Sequence, residues 1–88
     1  MTTRIHDPQA VLDYRFDWTS WLEPDEQITS AILAATGVTL GSHQVAATTV
    51  TAWVSGGTHG TLATITCHIV TNQGREEDRT LRLLIRHR

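Results

Sequence analysis

Lysine is absent from this 88-residue sequence, and cysteine, methionine, tyrosine and phenylalanine each occur once. A single cysteine, Cys67, excludes an intrachain disulfide framework. With no lysine, all seven basic residues are arginines, set against nine acids for a formal net charge of −2. That balance gives no overall pull toward nucleic acid. No apolar run approaches the roughly 20 residues of a membrane helix. No N-terminal stretch has the basic-then-apolar form of a signal peptide. The expected compartment is therefore the cytosol, or a particle assembled there.

Charge is also absent from the middle. Between Gln27 and Gly74 there is no Asp, Glu, Lys or Arg. Acids dominate before this stretch, with Asp7, Asp13, Asp17, Glu23, Asp25 and Glu26 against Arg4 and Arg15. Arginines dominate after it, with Arg75, Arg79, Arg82, Arg86 and Arg88 against Glu76, Glu77 and Asp78. Free soluble surfaces normally mix both signs. The uncharged stretch is either solvated by its threonine and serine hydroxyls or covered by protein neighbours, since interface cores are depleted in charge.

Period-two alternation dominates what is present. Tyr14, Phe16 and Trp18 share one face and Asp13, Arg15 and Asp17 the other, a half-buried strand. Trp21 and Leu22 follow, folding over an edge of the core, and Pro24-Asp25-Glu26 marks a turn. Ile28 to Ala34 reads as a strand, with a short helix as the alternative because of its alanines. Val38 and Leu40 suggest a short strand ending at Gly41-Ser42. Val50, Ala52 and Val54 alternate with Thr49, Thr51, Trp53 and Ser55. Ala63, Ile65, Cys67 and Ile69 alternate with Thr64, Thr66 and His68. Asn72-Gln73-Gly74 is a hairpin turn. The last strand places Leu81, Leu83 and Ile85 inward and Arg82, Leu84 and Arg86 outward. Short strands at this spacing predict a single immunoglobulin-like antiparallel β-sandwich of six or seven strands over residues 1–88, with residues 1–10 an extended N-terminal arm. A domain this small buries a thin core, so help from a partner or a homo-oligomer is an open option.

No pattern of residues carries catalytic chemistry. Cys67 belongs on the core face, and its neighbour His68 points to the opposite face, so no base assists the thiol. His6, His43, His59, His68 and His87 form no pair at zinc-site spacing and read as scattered surface residues, so no metal or cofactor is expected. Asp13 and Asp17 share a strand face, but paired carboxylates need a cleft. A solvated face, paired with Arg15 or a C-terminal arginine, accounts for them.

Two features point to protein contacts. Trp53 alternates with threonine and serine, so it faces away from the core. It either packs under a loop or anchors an interface, where tryptophan is enriched. Arg82, Arg86 and Arg88 share one face of the last strand. The nearby Glu76, Glu77 and Asp78, and the lack of stacking aromatics, favour a protein contact or a charged protective edge over a phosphate-binding stripe.

The opening Asp7-Pro8, Val11-Leu12-Asp13-Tyr14, Phe16-Asp17-Trp18, Trp21-Leu22 is similar to that of small immunoglobulin-like virion structural proteins of tailed bacteriophages. The similarity continues through Asp25-Glu26-Gln27-Ile28-Thr29-Ser30 and the loop Val54-Ser55-Gly56-Gly57-Thr58-His59-Gly60. It closes on Thr71-Asn72-Gln73-Gly74-Arg75 and the arginine-flanked final strand, and is weakest over Thr36 to Ala47. The resemblance implies a non-enzymatic virion component, assembled in the bacterial host cytoplasm, with no catalytic residues to transfer. Capsid decoration or cementing is the first expectation, with the major capsid protein as partner and neither nucleic acid nor membrane involved. A head–tail connector or tail-associated component is the alternative, and a host-side protein- or carbohydrate-binding module the other class.

Overall fold

The computed structural model describes residues 3–87. Seven strands form two sheets: β1 (Thr3–His6), β2 (Val11–Asp17), β3 (Ile28–Thr36), β4 (Thr39–Val45), β5 (Thr49–Ser55), β6 (Leu62–Thr71) and β7 (Glu76–Ile85). One sheet has the order β1-β7-β6-β3 and the other β2-β5-β4. The all-β immunoglobulin-like sandwich expected from the alternation is the fold. Its last six strands follow the constant-type immunoglobulin order, β2-β5-β4 against β3-β6-β7.

Three details differ from the sequence reading. The stretch read as an N-terminal arm contains β1, which pairs with β7 from Thr3↔Arg82 to His6↔Ile85. That pairing is parallel, whereas the other four are antiparallel. Parallel neighbours need a long crossover, and here almost the whole chain intervenes. Four residues are too few for periodicity to reveal, so the strand exists only through its neighbour. Finally, β4 does not stop at Gly41-Ser42; it runs to Val45 and absorbs a bulge between Leu40 and His43. Ile28–Thr36 is strand and not helix.

The core lies between the inward faces. Tyr14, Phe16, Trp18, Val50 and Val54 meet Ala63, Ile65, Cys67, Ile69, Leu81, Leu83 and Ile85, and each of these is at most 8% exposed. Complete burial of such a side chain contributes about 1.5–3 kcal/mol. The chain passes from one sheet to the other between β3 and β4 through Gly37 and Val38. Gly37 has φ 85°, and a Cβ there would sit 3.1 Å from the Cβ of Ala63. A side chain at this crossing would meet both backbone strain and the facing strand.

The residues after β2 close one end. Trp18 is fully buried, its backbone N–H donating to the Thr48 carbonyl at 2.9 Å. Trp21 meets it edge to face, with ring centroids 5.6 Å apart. Arg79 lies 4.4 Å over the Trp18 ring and Arg75 4.1 Å over Trp21. Two of the C-terminal arginines thus act within the fold, as stacked cations over aromatic faces.

Candidate functional site

The sandwich presents two broad outer faces, and the residues singled out from the sequence divide between them. On the three-stranded sheet, Asp13 of β2 is paired with Trp53 of β5, Arg15 with Thr51 and Asp17 with Thr49. Trp53 is 41% exposed and stands on this open face, not under a loop. Gly41 of β4 lies against it, where a methyl would sit 3.5 Å from the Trp53 Cβ. Val11, at the end of the same face, is also exposed.

The four-stranded sheet carries the other face. Here Ile5, Leu84 and Leu62 form one cross-strand row and Thr3, Arg82 and Thr64 the next. Thr80 and Thr66 follow, their hydroxyls 3.1 Å apart. Then come Asp78, His68 and Ile32. Arg82 is exposed in the middle of this face. Arg86 lies just past β7, exposed, with its backbone N–H donating to the His6 carbonyl at 3.0 Å. Arg88 lies outside the described residues. Arg82 and Trp53 are therefore on opposite sides of a two-sheet slab, and the fold does not bring them together.

His68 bridges Glu76 through Nε2 at 2.8 Å and is hydrogen-bonded to Asp78 through Nδ1. The bond to Glu76, and then that to Asp78, raise its pKa above the usual 6.5. Among the described residues no group of three His, Cys, Asp or Glu side chains could hold a metal ion. Cys67 is fully buried on the core face, as expected from the alternation. Burial pushes its thiol up to about 11, against a smaller lowering effect of Trp18.

The two flanks of the slab differ as much as its faces. The flank formed by β1, β2 and β7 opens as a cleft of about 420 Å³, rimmed by Arg4, Arg15, Asp17 and Arg79 and floored by Tyr14, Phe16 and Leu81. Asp17 accepts from the hydroxyl of Thr19 at 2.6 Å and its backbone N–H at 3.0 Å, which holds its carboxyl below the usual range. Arg79 donates to the Asp17 carbonyl at 2.7 Å. The opposite flank, formed by β3 and β4, carries no charged residue.

Two buried ionisable side chains escaped the sequence reading. His6 is not a surface histidine: it points inward from β1, fully buried, with Nδ1 2.8 Å from the Tyr14 hydroxyl. Glu26, read as part of a turn, is only 3% exposed. Its carboxylate accepts from the Glu23 N–H at 3.0 Å, the Thr71 hydroxyl at 2.6 Å and Arg75 at 2.8 Å. These bonds, led by that from Glu23, hold its pKa below the usual value. Thr71 and Arg75 lie more than forty residues away in sequence, so no local pattern could have signalled the cluster.

Residues 6–84 match the family described as podophage GP4 fiber-tail adaptor protein gp77. No curated protein matches the sequence.

Proposed function

From its membership of the podophage GP4 fiber-tail adaptor protein gp77 family, we propose that this chain is a non-enzymatic virion protein that joins a tail fibre to the phage tail. The expectation of capsid decoration gives way here, because the family is one of tail-fibre adaptors and supports tail proteins as partners in place of the major capsid protein. The tail-associated alternative is the reading that agrees with it.

The observation that carries the proposal is that the family match spans nearly the whole sandwich, from His6 at the end of β1 to Leu84 in β7. An adaptor needs two separate contact surfaces. In this reading Trp53 anchors one partner from the three-stranded sheet, and Arg82 with Arg86 contacts the other from the opposite side. Exposed tryptophan and arginine are the residue types that most often dominate interfaces. A module of 88 residues offers a modest area to each partner, and repetition around a symmetric tail raises the total strength by multivalency.

The test uses tails and fibres purified separately from particles lacking this protein. Trp53→Ala and the pair Arg82→Glu, Arg86→Glu should each fold normally. Each should lose one partner and keep the other, with at least about a 30-fold weakening, as for loss of a ~2 kcal/mol anchor. If neither substitution affects either partner, the assigned surfaces are wrong. If the parent protein binds neither tails nor fibres, the adaptor reading itself fails.

A further inference from the structure

Each sheet ends in two edge strands, and three of the four edges carry a device that discourages pairing with another chain. β1 is only four residues long and holds Arg4. β2 carries Asp13, Arg15 and Asp17. β4 is broken by its bulge between Leu40 and His43. Short length, charge and bulges are the usual protections of exposed edges. The fourth edge, β3, is long and uncharged, and from Ser30 onward it has none of them. Its nine residues include no charge, proline or glycine. Its one irregularity lies at the start, between Ile28 and Ser30, and from Ser30 to Thr36 every residue is in register with β6. Along those seven residues, every second residue turns its backbone N–H and C=O to the side away from β6.

The side chains agree with the backbone. Ile32 is 69% exposed on the outer face. Ala31, Leu33 and Ala35 point into the sandwich yet are only half-buried, whereas Ile65, Cys67 and Ile69 beside them on β6 are completely covered. The core is open along this flank.

We propose that β3 pairs with β3 of a second copy of this chain, antiparallel and about a two-fold axis, so that the two four-stranded sheets become one eight-stranded sheet. Self-complementarity argues for a second copy as the occupant. A two-fold contact sets a patch against itself, and like charges are the usual obstacle. Here there are none, because the whole flank falls within the uncharged stretch from Gln27 to Gly74. With the axis at Leu33, the midpoint of the regular segment, Ile32 stands opposite the second copy's Ala34, large against small, twice. Ala31 stands opposite the second copy's Ala35, and the two Leu33 side chains cover one another. The opposite flank, with Arg4, Arg15, Arg79 and Asp17, has no such neutrality. The proposal goes beyond the adaptor role and does not depend on it.

The experiment is sedimentation of the purified full-length chain from about 1 to 100 µM, a range that reveals a dimer of ~10 µM affinity, at low and high salt. The parent should reach twice the monomer mass, and salt should not dissociate it, because no ion pair contributes. Ile32→Lys and, separately, Ala34→Glu change exposed positions and should leave the circular dichroism spectrum unchanged while giving a monomer. Val11→Lys, equally exposed but on the other sheet, should remain dimeric. A parent that stays monomeric throughout overturns the proposal. So does a dimer that survives both β3 substitutions, or one that high salt dissociates.

Discussion

The hydroxyl of Tyr14 and Nδ1 of His6 share a 2.8 Å hydrogen bond inside the sandwich. It ties β2 in one sheet to β1 in the other, so the short parallel strand is held both by its ladder to β7 and by a polar clasp across the core. Buried hydrogen bonds of this kind contribute little when made and cost about 1–3 kcal/mol when one partner is removed. Tyr14→Phe keeps the ring and removes the oxygen. It should lower the thermal midpoint by at least about 4 °C, as 1 kcal/mol does in a domain of this size. An unchanged midpoint would show that the clasp contributes nothing.

Trp18 is expected to be the most sensitive core position. It is completely buried, meets Trp21 edge to face and lies beneath Arg79. Trp18→Ala should cost about 3–5 kcal/mol, out of a total that for small domains is about 5–15 kcal/mol. Urea unfolding should find the variant largely or wholly unfolded. Arg79→Ala removes only the cation over the ring and its bond to the Asp17 carbonyl, and should be much milder. A reversal of that order would mean that the arginine, and not the indole, organises this end of the sandwich.

Cys67 should react slowly with thiol reagents in the native protein. Its side chain is inaccessible, and its thiol is pushed up to about 11 by burial. The thiolate is the reactive form, so both accessibility and ionisation oppose labelling. Denaturant should accelerate the reaction sharply. Rapid native labelling would require β6 to open, or its register to be displaced by one residue.

Two of the perturbed acid–base groups, Glu26 and His68, should act in opposite directions with pH. Glu26 has a lowered pKa in the fold, so its bonds contribute fully above the usual carboxylate range and are lost as pH falls through the lowered value. The stability gap between the parent and Glu26→Gln should therefore narrow on acidification. His68 has a raised pKa, so its pairing with Glu76 and Asp78 contributes fully below the usual 6.5 and fades as pH rises through the raised value. The gap between the parent and His68→Asn should narrow on going alkaline, and added salt should shrink it, since the three side chains are partly exposed. Denaturation midpoints measured from acidic to mildly alkaline pH test both. Gaps that stay constant with pH would remove the linkage.

The sequence by itself determined the strands that carry an inside and an outside. Tyr14-Phe16-Trp18, Val50-Ala52-Val54, Ala63 to Ile69 and Leu81 to Ile85 alternate strictly, and each alternation became a buried face, because successive strand residues must point to opposite sides. Cys67 and Trp53 were assigned their faces by the same rule. Tertiary structure alone decided which strands became neighbours. Only there did β1 become a strand, four residues long and defined by its pairing with β7. Only there did Glu26 find Thr71 and Arg75, and His6 find Tyr14, since a polar side chain is buried only where hydrogen-bond partners meet it. The fold also set Trp53 and Arg82 on opposite faces and left β3 at an edge. Alternation fixes the face a side chain takes within its own sheet; it carries no information about the order of strands, and that order decides which surfaces remain free to bind.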